Sequence, residues 1–272
     1  MLLMPDQPAD KPAGGPPRDA CHPAADCVHV FRVAADPGIP LVEHWQHVLA
    51  PEEQARAARF HRQADRDRFV IGRALTRLTL GATTGLSPTA LVIRQDPLGK
   101  PFLECPDGQR INAFNVSHSG AHVLLAMAAD RLIGIDVEQI SPEVEIDLLV
   151  ARFFSARERI AFGALPPAVR RQAFFRGWCR KESYVKALGQ GLEFPMDGFD
   201  VSLTPDASPV LLEDRSPEGA ATVWCIRDLW LDANHMAAIS ASGPPFRLRM
   251  WMLGTEGWNE TNAASGRIIY PR

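Results

Sequence analysis

The stretch Leu132-Ile133-Gly134-Ile135-Asp136-Val137-Glu138 reads as a β-strand that carries two carboxylates. β-Branched and apolar residues dominate it, and residues two apart in a strand project to the same face. Asp136 and Glu138 therefore stand side by side, while Ile135 and Val137 turn the other way. A buried-looking run at 123–128 and an Asp130-Arg131 turn precede this strand, so it opens a second half of the chain.

Working outward, the first half holds a strand at 28–33 and a helix begun by Pro51, with Glu52 and Glu53 near its positive end. Helical character continues past a break near 61–64 to Gly81 or Gly85, and strands follow at 91–94, 114–116 and 123–128. In the second half, helices are expected over 146–162 and 168–188, the latter ended by Gly189 and Gly191. Strands near 199–203, 223–231, 235–241 and 246–253 complete it. Helices mixed with a few strands in each half give an α/β (α+β) class. The expected organisation is a disordered Pro-rich leader over 1–26, lobes at 27–129 and 130–243, and an extension over 244–272.

The 272 residues are 46% hydrophobic and 22% charged, the composition of a soluble globular protein. A net charge of −3 speaks against general nucleic-acid binding, for which a basic domain is usual. No apolar run reaches the ~18–20 residues of a membrane helix, and no secretory signal opens the chain. The five cysteines are odd in number and widely spaced, with no C-x-x-C pair, which reads as reduced thiols in a cytoplasmic protein. Cys179, beside Arg180 and Lys181, is either a thiol activated by those charges or an ordinary packed helix residue.

Three further stretches bear on chemistry. In Trp178-Cys179-Arg180-Lys181-Glu182-Ser183-Tyr184-Val185-Lys186, Trp178, Glu182 and Lys186 share a helix face flanked by Lys181. Alone this is simply an amphipathic helix with a Glu–Lys pair. Phe114-Asn115-Val116-Ser117-His118-Ser119-Gly120 ends a strand in small polar residues that can offer N–H groups, hydroxyls and an imidazole to an anion. It lacks the G-x-S-x-G of a serine nucleophile. An arginine series runs along the first helical region, including Arg56, Arg59, Arg68, Arg73 and Arg77; most form a solvated face and some suit phosphate. Asp136, Glu138 and Glu182, if they meet, would repel one another unless a cation lay between them. A hard, all-oxygen set suits Mg²⁺, and with the surrounding cations it implies chemistry at a phosphate ester or anhydride.

These stretches resemble the 4′-phosphopantetheinyl transferases of the surfactin type. The resemblance rests on Gly99-Lys100-Pro101, Phe114 to Gly120, Gly134 to Glu138, and Trp178-x-x-Lys181-Glu182-Ser183-x-x-Lys186-x-x-Gly189-x-Gly191. Phe153-Phe154-Ser155 with Glu158, and Arg59-Phe60 with Arg68, also match, and the likeness spans about 28–242. It implies a monomer of two similar subdomains related by a pseudo-twofold axis, with coenzyme A in the cleft between them. The implied reaction moves phosphopantetheine from coenzyme A to a serine of an acyl or peptidyl carrier protein and releases 3′-phosphoadenosine 5′-phosphate.

By the same resemblance, Asp136, Glu138 and Glu182 are the Mg²⁺ ligands, Glu182 also the base, and Lys186 the partner of the transferred phosphate. Ser117 and His118 fall where the coenzyme's phosphates bind, and Lys100 and Pro101 where the nucleotide pocket is lined. Arg56 and Arg68 are candidates for the nucleotide and its 3′-phosphate, and Lys181 is placed in or beside the site. Relatives often carry a basic residue where Glu53 stands, which implies that the 3′-phosphate contacts are shared differently here. Arg152, Arg157 and Arg159, with Phe153 and Phe154, are expected carrier contacts, the phenylalanines being equally readable as core. The competing readings are a silent relative that only binds coenzyme A or a carrier, and a Mg²⁺-dependent phosphohydrolase.

Overall fold

A computed structural model describes residues 14–35, 41–191, 194–204, 209–215 and 223–261. The first half contains β1 (Cys27–Ala34), α1 (Leu41–Trp45), α2 (Pro51–Ala57), α3 (Gln63–Thr84), β2 (Val92–Gln95), β3 (Pro101–Glu104), β4 (Arg110–Ile111), β5 (Phe114–Ser119) and β6 (His122–Ala128). The second contains β7 (Ile133–Gln139), α4 (Ile146–Phe153), α5 (Ala156–Gly163), α6 (Pro167–Leu188), β8 (Phe199–Val201), β9 (Leu211–Asp214), β10 (Trp224–Leu229) and β11 (His235–Ser242). A hairpin of β12 (Arg247–Gly254) and β13 (Gly257–Thr261) closes the described chain.

Two sheets face each other, one in the order β13-β12-β1-β6-β5 and the other β10-β11-β7. β6 is buried along its whole length, and its pleat divides it between two cores. Val123, Leu125 and Met127 join Phe31, Val33, Val70, Ile71, Leu75 and Trp251 beneath α3. Leu124 and Ala126 join Val28, Val30, Ile133, Ile135, Val137 and Ile239 between the sheets. A third cluster, including Phe154, Phe162, Phe174, Tyr184 and Phe199, fills the helical side of the second half. The chain is thus mixed α/β, and its layout repeats: each half lays a 22-residue helix, α3 or α6, on a sheet. Both helices end at a left-handed glycine, Gly85 (φ 75°) and Gly189 (φ 76°), where other residues would be strained. Among the described residues no helix is long and apolar enough to cross a membrane.

The helix expected over 146–162 is in fact two. Ser155 leaves helical geometry and caps α5: its Oγ accepts from Glu158 N at 3.1 Å, while Glu158 Oε2 accepts from Ser155 N at 2.8 Å. The ends of the chain differ more. The expected leader is described from Gly14 on, and that part is packed: Ala20 and Cys21 are fully buried, and His29 Nδ1 lies 2.6 Å from Ala20 O. Residues 1–13 of the leader lie outside the described residues. The expected extension over 244–272 is described as far as residue 261 and is part of a sheet. β12 runs parallel to β1, with Cys27 opposite Arg247 and Arg32 opposite Met252, and so belongs to the first half's sheet.

Candidate active site

Among the described strands, β7 pairs with β11 alone, with Asp136 opposite Ala238 and Glu138 opposite Met236. Its other edge faces β5, and there the two sheets meet through side chains. Asn115 Oδ1 accepts from Ile135 N at 2.9 Å, Ser117 Oγ from Val137 N at 3.2 Å, and Ser119 Oγ from Gln139 N at 3.0 Å. The strand period of two makes this possible, since alternate residues of β5 reach toward alternate amides of β7.

The face of β7 opposite the central core lies against α6. Contact is so close that a Cβ on Gly134 would sit 2.1 Å from Ser183 O and 2.4 Å from Ala187 N, so only glycine fits there. This brings Glu182 and Lys186, one helical turn apart, beside the two carboxylates of β7. Lys186 Nζ donates to Asp136 Oδ1 at 2.6 Å and to Ser117 Oγ at 3.2 Å, and Ser117 Oγ donates to the same Asp136 oxygen at 3.0 Å. Ser119 Oγ donates to Glu138 Oε2 at 3.0 Å.

Electrostatics tie these groups together. Burial, then the Asp136 charge, raises the Glu138 pKa to about 7. Glu182 is raised for the same two reasons, in the same order. Burial opposes the Lys186 ammonium, but Asp136, its hydrogen bond and Glu182 outweigh it and hold that pKa above an ordinary lysine. Three carboxylates face one ammonium, which leaves two negative charges for a divalent cation. Asp136 Oδ2 is buried and, among the described residues, has no hydrogen-bond partner, an unfilled acceptor in the set. All donors are hard oxygens. The residues fit Mg²⁺.

Beside this set, a cavity of about 200 Å³ opens between α3 and β5, lined by Arg68, Arg73, Pro101, Phe114 and His118, among others. Arg68 is held by Gly120 O, to which Nη1 donates at 3.0 Å, and by an ion pair with Asp65. His118 is exposed at the mouth; partial desolvation there, then Arg68, lowers its pKa. Arg56 is exposed and lies over the ring of Phe69, another lining residue, 5.1 Å from its centroid. Ser117 and His118 therefore serve opposite faces of β5, the hydroxyl toward Asp136 and the imidazole toward the cavity.

Two lysines stand elsewhere than expected. Lys100 Nζ donates to Ala187 O at 2.6 Å, at the end of α6; its ammonium caps that helix, and burial lowers its pKa to about 8. Lys181 is fully buried on the far side of α6, away from the carboxylates. Its Nζ meets Met196 O at 2.6 Å, Phe199 O at 2.8 Å and Glu158 Oε2 at 2.8 Å, and lies 4.0 Å from the Phe199 ring centroid. Successive helix positions turn by about 100°, so Lys181 cannot share a face with Glu182.

Three other expectations are resolved by packing. Cys179 donates its thiol to Met236 O at 3.2 Å, and burial, then Asp136, pushes its pKa well above an ordinary thiol, so it is inert. Phe154 is fully buried against Phe174 and offers nothing to a partner, whereas Phe153 is half-buried beneath Arg152. Glu53 is a buried anchor: Oε2 accepts from Ala50 N at 3.0 Å and Arg77 Nε at 2.6 Å, and Oε1 accepts from Arg73. Sequence reading missed the roles of Asn115 and Ser119; the signal was their spacing of two, in step with Asp136 and Glu138. Among the described residues, His122, Asp232 and His235 bring ligand atoms of metal-binding type within 4.8 Å of one another. The histidine nitrogens lie 2.6 and 2.9 Å from the Asp232 oxygens, hydrogen-bond distances, and Arg32 stands 3.4 Å from the same His122 nitrogen.

Similarity to known proteins gives the family of the chain. Residues 132–241 match the 4'-phosphopantetheinyl transferase superfamily, and residues 39–130 match the family described as 4'-phosphopantetheinyl transferase, N-terminal. The chain is 32% identical over 227 residues to the 4'-phosphopantetheinyl transferase HetI of Nostoc, covering 84% of this chain and 92% of that protein. It is 33% identical over 199 residues to a 4'-phosphopantetheinyl transferase of Bacillus subtilis, covering 73% and 84% respectively. On this likeness, over nearly the whole length of both relatives, the chain belongs to the 4′-phosphopantetheinyl transferases, a family of enzymes.

Proposed function

We propose that this enzyme transfers phosphopantetheine from coenzyme A to a serine of an acyl or peptidyl carrier protein, with Mg²⁺, and releases 3′-phosphoadenosine 5′-phosphate. The observation that carries it is that Asp136, bonded by the Lys186 ammonium and unfilled at Oδ2, interacts by charge with both Glu138 and Glu182 beside a cavity edged by Arg68 and His118. Asp136, Glu138 and Glu182 would hold the ion, which supplies charge stabilisation to the pyrophosphate as its bridging bond breaks.

The protein's own groups do the rest. Arg68, His118 and Arg56 border the cavity that suits the nucleotide end, with Arg73 held beside them by Glu53. Lys186 offsets charge on the transferred phosphate. Glu182 takes the proton from the carrier serine as its oxygen attacks the phosphorus of the phosphopantetheine arm, and the bond to the nucleotide phosphate breaks. Carrier docking suits α4 and α5, which expose Arg152, Arg157 and Arg159 together with the apolar Leu148 and Ile160.

Intact-mass spectrometry tests the proposal. Apo carrier proteins of fatty-acid, polyketide and peptide synthases are incubated with the enzyme, coenzyme A and Mg²⁺. A gain of one phosphopantetheine on at least one carrier, abolished by EDTA, is expected. Release of free phosphopantetheine with every carrier unmodified would instead make it a hydrolase. Glu182→Gln should lose transfer by on the order of 10² or more, because it loses both a ligand and the base. Near-normal turnover would remove Glu182 from the mechanism.

A further inference from the structure

The seam between β5 and β7 does more than join the sheets. Neither strand pairs its backbone with the other; three successive alternate side chains, Asn115, Ser117 and Ser119, take the place of carbonyl acceptors along β7. Side chains inserted in this way hold two strands farther apart than the ~4.8 Å of a backbone ladder. They also place hydroxyls where a backbone ladder has none. A serine hydroxyl has one proton to donate and lone pairs to accept. Ser117 and Ser119 each accept from a β7 amide and spend the proton on the carboxylate of the residue just before that amide, Asp136 and Glu138 respectively.

The two carboxylates are not equally secured. Asp136 is 3% exposed and is also gripped by Lys186. Glu138 lies at the open end of β7, half-buried, and among the described residues its hydrogen bond comes from Ser119 alone. Ser119 is in turn fixed by the hairpin turn that follows it. Gly120 has φ 53°, and a Cβ there would lie 2.5 Å from His235 Nε2 and 2.9 Å from Gln139 Oε1. The turn is therefore pressed against the second half, and the hydroxyl of Ser119 is carried on a rigid element. A ligand carboxylate left without such a partner must be ordered by the ion itself, and loss of an outer-shell hydrogen bond typically weakens metal binding ~10–100-fold.

We infer that Ser119 is a positioning residue, which orients the Glu138 carboxylate toward the metal and sets the enzyme's affinity for it. The inference rests on the reading of Glu138 as a metal ligand given above. It distinguishes Ser119 from the neighbouring His118, which faces the coenzyme cavity, and it makes the strand β5 serve the metal from one face and the coenzyme from the other.

The test uses the full chain and its variants Ser119→Ala and Ser119→Thr. Mn²⁺ binding, in the presence of coenzyme A, is read from the electron paramagnetic resonance of the free ion, and Mg²⁺ half-saturation is read from the transfer rate. Ser119→Ala is expected to weaken Mn²⁺ binding and raise the Mg²⁺ half-saturation concentration about tenfold, with the KM for coenzyme A changed by less than about twofold. Ser119→Thr, which keeps the hydroxyl, should restore most of both. A hydroxyl that only mends the seam would lower thermal stability and leave Mn²⁺ affinity alone. Equal Mn²⁺ affinity in wild type and Ser119→Ala, or a Thr variant as impaired as Ala, overturns the inference while the metal site stands. A wild-type chain that binds no Mn²⁺ overturns the metal reading itself, and this inference with it.

Discussion

Glu138 illustrates how a single residue can couple pH, metal and stability. In the metal-free protein, burial and Asp136 raise its pKa from 4.5 to about 7. The folded chain therefore binds this proton more tightly than the unfolded chain does. Stability from the protonated group is fully present below the unfolded pKa and is lost as pH rises through about 7. A divalent ion held by Glu138 would reverse the slope, because it would displace the proton to bind and gain affinity as pH rises. Calorimetry in EDTA should show the melting temperature falling between about pH 5 and about pH 8, and Mg²⁺ should raise it more at the upper end than at the lower. Glu138→Gln should flatten the metal-free curve and remove most of the Mg²⁺ effect. Parallel curves with and without Mg²⁺ would place the ion elsewhere. The sequence made the Asp136–Glu138 pair visible, because a strand's period of two is a local rule. It could not show that Lys186 would occupy one Asp136 oxygen and leave the other unfilled, since that depends on where a helix fifty residues away comes to rest.

At the scale of elements, α6 shows why a motif is not a site. The run Lys181-Glu182-Ser183 looks like one functional unit in sequence, yet helical geometry sends its members in different directions. Glu182 turns to the carboxylates, Ser183 bonds Ser240 at 2.8 Å, and Lys181 enters the third core beside Glu158. The three oxygens around Lys181 Nζ match the three N–H bonds of an ammonium. Burial pulls the lysine down and Glu158 up, and the pair holds because each charge is fully hydrogen-bonded. Glu158 also accepts from Val201 N at 2.8 Å, so the pair ties α5, α6 and β8 together. Removing one partner leaves the other buried and uncompensated, a cost of ~3–5 kcal/mol. Lys181→Met should accordingly show that loss in urea unfolding. The fraction that folds should keep its KM for coenzyme A within about twofold. The double variant Lys181→Met with Glu158→Gln should recover part of the stability, as no charge is then stranded. A normal urea midpoint with an impaired KM would return Lys181 to the binding site. The break between α4 and α5 was legible in principle, for Ser155-x-x-Glu158 is a capping box, but it lay inside a run whose hydrophobic spacing suited one continuous helix.

For the whole molecule, what escaped the sequence is long-range pairing. The strand at 246–253 could be seen as a strand, but nothing local tells β12 to cross back and run parallel to β1 at the opposite end of the chain. That pairing makes β1 a central strand, flanked by β12 and β6. It also feeds both cores: Trp251 and Leu253 pack beneath α3, while Phe246 and Met250 pack between the sheets. Burying a large apolar side chain stabilises by roughly 2 kcal/mol. Four of them contribute about 8 kcal/mol, comparable to the ~5–15 kcal/mol that separates a folded domain from its unfolded state. A chain ending at Gly243 would lose that burial and would expose β1 as an unpaired apolar edge, which invites association with other chains. Such a truncation, although it spares every candidate active-site residue, should accumulate as insoluble protein, and any soluble fraction should unfold at a much lower urea concentration than the full chain. The same reasoning applies at the other end, more weakly. Removal of residues 1–26 takes Ala20 and Cys21 from the first core and the bond from Thr83 Oγ1 to Cys21 O, so it should lower the urea midpoint measurably without abolishing folding. A chain cut at Gly243 that stayed soluble, with a wild-type urea midpoint, would mean that the two halves carry their cores unaided and that the terminal hairpin is an accessory to the fold.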